Sequence, residues 1–142
     1  MADLKVQKLK SGSIFEDKNN YSRAVVVQDW VFVSNTAGRN YQTREMSSDP
    51  TEQTRQCFAN IEGALKAVDS GLADVVRVRV AVPKLEHKAA VVAVVAEKFQ
   101  GIDPASTVTA TPLAGPDYLV EIEVTAYRGA GAAQTERLRV TL

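Results

Sequence analysis

The chain holds a single cysteine, Cys57, and a single histidine, His87. One thiol forms neither an internal disulfide nor a zinc cluster. No group of His, Cys, Asp and Glu at ligand spacing points to a metal. Excess charge of either sign is missing too, because 17 Lys and Arg face 17 Asp and Glu. No nucleic-acid partner and no anionic membrane surface is therefore expected. Apolar runs stop well short of the roughly 18 residues that span a bilayer. The opening MADLKVQKLKSGS lacks the apolar heart of a signal peptide, so a cytoplasmic protein is expected. Gly129 and Gly131 do not lead from a strand into a helix at phosphate-loop spacing, which leaves nucleotide binding without support.

What is present is ordinary globular material. The 142 residues, 45% hydrophobic and 24% charged, suit one domain with a core of its own. Residues 4–9 alternate weakly, as a short first strand would, and the polar stretch 11–22 is expected to be a loop. Arg23 to Val27 and Trp30 to Ser34 read as a hairpin turning at Gln28-Asp29. Asn35 to Gly38 then breaks the pattern, and a polar loop runs to about Ser48. A helix is predicted from Pro50, with Asp49 as N-cap and Glu52 in the capping-box position. Thr54, Phe58, Ile61, Leu65 and Val68 form its apolar stripe, and Gly71 is expected to end it. Val75 to Val82 reads as a strand, with Val76, Val78, Val80 and Val82 on one face and Arg77 and Arg79 on the other. Leu85 to Phe99 is rich in β-branched valine, yet its length favours a helix.

Ser106 to Tyr127 reads as two strands joined at Gly115-Pro116-Asp117. In the second, Val120, Ile122, Val124 and Ala126 share one face, while Glu121, Glu123 and Thr125 share the other. The expected fold class is α+β, a mixed sheet with two helices packed on one face. The domain is placed at residues 1–128, with 129–142 as linker and tail. The alternating Leu138, Val140 and Leu142 either pack on the body or add a strand to a neighbour. Arg77, Arg79, Glu121 and Glu123 fall together on the sheet face away from the helices. That face is either solvated and salt-bridged or covered by another subunit.

The blocks YSRAVVV, DWVFVSN, TEQTRQCFANIEGAL, LADVVRVRVAV, PASTV and LVEIEVTA, in that order over about residues 15 to 127, resemble the Rid (YjgF-like) family. The resemblance implies a chorismate-mutase-like fold and a homotrimer whose sheets form a central barrel. It implies clefts between subunits in which the deaminase branch hydrolyses enamines and imines, with no cofactor. Carried over residue by residue, Tyr21 matches the loop tyrosine and Glu121 the water-positioning glutamate. Asn35 replaces a usual glycine, and Val92 takes a position often held by asparagine. The branch's carboxylate-binding arginine falls on Ala105, or on Ser106 after a one-residue shift. Ser106 and Thr107 keep hydroxyls there, and Arg39 is the candidate replacement cation. Cys57 reads as a packed thiol and His87 as a surface histidine.

Three functions follow from different classes. The first is a small-molecule hydrolase of the imine type, with Glu121 and Tyr21 in the catalytic roles. The second is a trimeric metabolite-binding or regulatory protein using the same cleft without turnover. The third, an RNA-cleaving relative, is disfavoured by the balanced charge.

Overall fold

The structure, a computed structural model, describes residues 3–142. Six strands form one mixed sheet: β1 (Val6–Leu9), β2 (Ala24–Val27), β3 (Trp30–Ala37), β4 (Val75–Val82), β5 (Ala105–Ala110) and β6 (Glu121–Tyr127). Their spatial order is β1-β2-β3-β6-β4-β5, and only the β4–β5 pair is parallel. Helices α1 (Ile14–Lys18), α2 (Pro50–Ala67) and α3 (Lys88–Lys98) complete the chain. This is the expected α+β class. Among the described residues no helix is long and apolar enough to cross a membrane.

The core lies between one sheet face and the α2–α3 pair. Phe58, Ile61 and Leu65 of α2 are fully buried against Val78, Val80, Ile122 and Val124 of the central strands. Each such side chain withdrawn from water contributes about 1.5–3 kcal/mol, so the α2 stripe alone anchors the layer. Phe58 meets Phe99 edge to face, with ring centroids 5.5 Å apart.

Several expectations are corrected. Ser106 to Tyr127 is not a hairpin: β5 pairs with β4, and β6 inserts between β3 and β4. β6, whose Ile122, Val124 and Ala126 are buried under the helices, lies inside the sheet, whereas β5, exposed throughout, serves as an edge. The turn at Gly115 to Asp117 exists, with Tyr118 N–H donating to Gly115 O, but it lies within a crossing segment. The polar stretch 11–22 contains α1, with Glu16 at its centre. β3 runs on to Ala37 through a bulge between Val33 and Thr36. Val76 is exposed because a second bulge, between Val75 and Arg77, shifts the alternation. The left-handed residue after α2 is Asp69 (φ 59°), and Gly71 is extended. Asp49 caps α2 through Glu52 N–H, but its own N–H donates to Ser47 Oγ, so Glu52 does not close a capping box. α3 begins only at Lys88, after a 3-10 turn over Leu85–His87.

The other sheet face carries the predicted charges. Arg79 and Glu123 are paired in register and meet at 3.3 Å. Beside them stand Trp30 (44% exposed), Phe32 (48%) and Tyr127 (39%), a mixed apolar and charged surface uncovered in the single chain. Residues 133–142 form no helix or strand, and Leu138, Val140 and Leu142 are exposed. Arg137 fastens this segment to Asp103 and to Gly101 O.

Candidate active site

The site is built outward from a buried ion pair. Arg23 Nε donates to Glu16 Oε2 at 3.0 Å, and the two side chains are 4% and 1% exposed. Glu16 also accepts from Ser11 N–H at 2.7 Å and Ser11 Oγ at 2.5 Å. The other end of the guanidinium reaches the β3 bulge, donating to Asn35 O at 3.0 Å and Thr36 Oγ1 at 3.1 Å. Thr36 Oγ1 in turn donates to Ser34 O. A bulge carries backbone groups that the ladder does not satisfy, and here a buried cation satisfies one.

The bulge aims Asn35 at the first residue of β6, and Asn35 Nδ2 donates to Glu121 Oε2 at 2.7 Å. Burial pushes the Glu121 carboxyl above the usual glutamate range, partly offset by the Arg23 charge and the Asn35 hydrogen bond. Tyr21 is fixed from the same centre. Its N–H donates to Glu16 O, and its hydroxyl accepts from Arg23 Nη2 at 3.4 Å. Arg23 also lies 5.6 Å from the Tyr21 ring and 5.8 Å from the Tyr41 ring.

These groups face one cavity of about 350 Å³, lined by Tyr21, Arg23, Asn35, Arg39, Tyr41, Tyr118 and Glu121 among others. Its rim cation, Arg39, donates to Arg44 O at 2.8 Å and lies over the Tyr118 ring at 5.9 Å. Asn60 of α2 holds the backbone there, donating to Ala37 O and Arg39 O. The Tyr41 hydroxyl is buried, and burial raises its pKa against the pull of Arg23 and of the Ser11 hydroxyl near it. A carboxyl with a raised pKa, hydroxyl groups and two guanidinium groups around one space suit proton transfer on a small polar molecule.

Tyr21, Asn35, Arg39 and Glu121 are thus brought together. Ala105, Ser106 and Thr107 are not. They sit on exposed β5, two strands from β6, with Ala105 opposite Arg77 where Glu121 is opposite Ala81. Two strand spacings and four residues along β4 put Ala105 about 16 Å from Glu121, and two residues along β4 put Thr107 about 12 Å away. Val92, half-buried on α3, is also outside the cavity. Cys57 is fully buried, and burial drives its thiol pKa far up, as a packed thiol requires. His87 is half-buried rather than a free surface group.

Sequence reasoning missed Glu16 and Arg23. The available signal was an arginine at the head of the otherwise apolar RAVVV, but its partner lies in a stretch without periodicity. Gln53 was missed as well. Fully buried, it donates to Ser47 O and Asp117 O and accepts from Leu119 N–H, tying together the loops that flank the cavity.

Comparison with known proteins places these features in context. The family model described as endoribonuclease L-PSP matches residues 13–128. The chain is 34% identical to the RutC family protein UK114 of Drosophila melanogaster, over 81% of this chain and 84% of that protein. It is 31% identical to a protein of Dermatophagoides farinae named 2-iminobutanoate/2-iminopropanoate deaminase, over 72% of this chain and 81% of the other. Among solved structures, a Mycobacterium tuberculosis member of the YjgF/YER057c/UK114 family superposes with a TM-score of 0.79 at 36% identity. That match covers 87% of this chain and 99% of the other.

Proposed function

Because the chain belongs to the Rid (YjgF-like, endoribonuclease L-PSP) family, we propose that it hydrolyses a reactive enamine or imine to a carbonyl compound and ammonia in the Glu121 cavity. The observation that carries this reading is the Glu121 carboxyl, raised in pKa by burial and oriented by Asn35 at 2.7 Å. A carboxyl poised nearer neutrality exchanges protons with water more readily than an exposed glutamate. In its ionised form it takes a proton from water as the oxygen bonds to the C=N carbon. It returns that proton to the nitrogen, giving a carbinolamine, and then carries the carbinolamine hydroxyl proton to the nitrogen as the C=O forms, the C–N bond breaks and ammonia leaves. Tyr21, whose hydroxyl oxygen already accepts from Arg23, has its own proton free to donate to the substrate.

Arg39 is the carboxylate anchor in this scheme. The family position that supplies an arginine falls on Ala105, or on Ser106 after a one-residue shift, and neither side chain carries a charge to bind an anion. A charge-assisted bond commonly contributes about 1.5–3 kcal/mol, a factor of ten to a hundred in affinity, so the anchor matters. The assembly is a homotrimer in which a neighbour's β5 brings Ser106 and Thr107, with Val92, toward the cavity. Support comes from the uncovered face bearing Trp30, Phe32 and Tyr127, which burial between copies would remove from water.

Ala105 also favours a second reading, a metabolite-binding protein without turnover. Imines generated in situ by an amino-acid oxidase from alanine, leucine and phenylalanine separate the two. The expected result is accelerated ammonia release by the wild type, lowered about 100-fold or more in Glu121→Gln with the trimer intact. No acceleration by the wild type refutes the hydrolase. If Ala105→Arg then restores it, the water-handling groups are present without an anchor; if not, the binding protein stands.

A further inference from the structure

A second cavity, of about 490 Å³, opens at the end of the sheet where β3 and β4 finish and β6 begins. Its basic lining groups are Arg39, Lys84 and His87, and its acidic one is Asp117, which is exposed. Among the described residues, none of the three basic side chains makes an ion pair. Arg39 is occupied only by neutral groups, the Arg44 carbonyl and the Tyr118 ring. His87 Nδ1 is buried with no hydrogen-bond partner among the described residues. His87 also begins α3 without capping it, so the first N–H groups of that 11-residue helix have no side-chain acceptor.

The walls are built rather than loose. Gln53, fully buried, holds Ser47 and Asp117 at 2.8 Å and 3.0 Å through their carbonyl oxygens. Ser47 Oγ accepts from Asp49 N–H, which leaves its proton available to a ligand, and Ser48 stands beside it. Three basic side chains that form no ion pair among the described residues, beside one exposed carboxylate in a cavity braced by a buried amide, suit an anionic ligand.

We infer that this second cavity binds a small oxyanion, the carboxylate or phosphate group of a metabolite, through Arg39, Lys84 and His87. It is distinct from the Glu121 cavity, but Arg39 lines both. A bound oxyanion here therefore draws on the guanidinium assigned to the substrate, and the two occupancies are linked reciprocally.

The test reads binding, not turnover, so it stands apart from the hydrolase reading. The full chain is titrated at low ionic strength with inorganic phosphate, and separately with succinate, while backbone amide resonances are followed. The expected result is saturable movement of residues 47–48, 84–89 and 117, at about 1 mM or tighter for at least one anion. Lys84→Gln, on an exposed side chain, weakens that binding about tenfold, as loss of one charge-assisted bond would. Lys66→Gln, an equal charge change at the far end of α2, leaves it unaltered. Saturation by phosphate alone assigns a phosphate ligand, and by succinate alone a carboxylate. No saturable change up to about 10 mM of either, or equal binding by Lys84→Gln, overturns the inference.

Discussion

Replacing Glu16 by glutamine keeps the shape of a buried side chain and removes its charge. Arg23 would then remain 4% exposed with only neutral acceptors, Asn35 O, Thr36 Oγ1 and Tyr21 Oη. Breaking a buried pair from one side costs about 3–5 kcal/mol, and glutamine, which retains an acceptor, belongs at about 3. For a domain of this size that lowers the melting temperature by about 10 °C. Urea unfolding followed through Trp30, the only tryptophan, should show an earlier midpoint with unchanged slope. Turnover should fall too, because Arg23 supports both the bulge that aims Asn35 and the hydroxyl of Tyr21. The double variant Glu16→Leu, Arg23→Met should recover part of the loss, since an apolar pair replaces a desolvated one. Recovery stays incomplete because Thr36 Oγ1 and Asn35 O lose their donor, at about 1 kcal/mol each. A cost below about 1 kcal/mol for Glu16→Gln would refute the reasoning. So would a double variant as unstable as the sum of its singles.

Two further predictions concern the same end of the sheet. Burial raises the Glu121 pKa above its ordinary 4.5, so its contribution to stability is full below that value and is lost as pH rises through the raised one. Glu121→Gln should therefore gain stability relative to the wild type at about pH 8 and not at about pH 4, while losing turnover. Thermal unfolding at both pH values checks this, and an equal difference at both would contradict it. Gly38→Ala places a Cβ 2.1 Å from Gln53 O and 2.5 Å from Gln53 Cγ. Because Asn60 pins Arg39 O just beyond, the strand end cannot drift freely, and a loss of about 1–3 kcal/mol is expected. Unfolding with an unshifted midpoint would show that the Gln53 loop yields.

Local rules served well where the signal was local. α2 starts at Pro50 behind Asp49 as its cap and stripe require, and Val120, Ile122, Val124 and Ala126 at and within β6 are buried as alternation assigned. They failed where an answer depended on a distant partner. The β5–β6 hairpin was a reading of sequence proximity, but β5 buries nothing and pairs with β4 in parallel across α3. The bulges that expose Val76 and extend β3 arise from pairing with β6, which no single strand announces. Of the candidate residues, Tyr21, Asn35, Arg39 and Glu121 converge within one chain, whereas Val92, Ala105, Ser106 and Thr107 stand apart.

Periodicity and caps by themselves determined the α+β class and the faces that α2 and β6 bury, because these depend on residues adjacent along the chain, and the family came from the resemblance of whole blocks in their order. Tertiary structure alone decided that Glu16 and Arg23 form the dry centre of the site. A buried charge is tolerable only when a partner and satisfied hydrogen bonds meet it in space. Those groups come from a short helix, a strand and a bulge that only the folded sheet brings within 3 Å or so of one another.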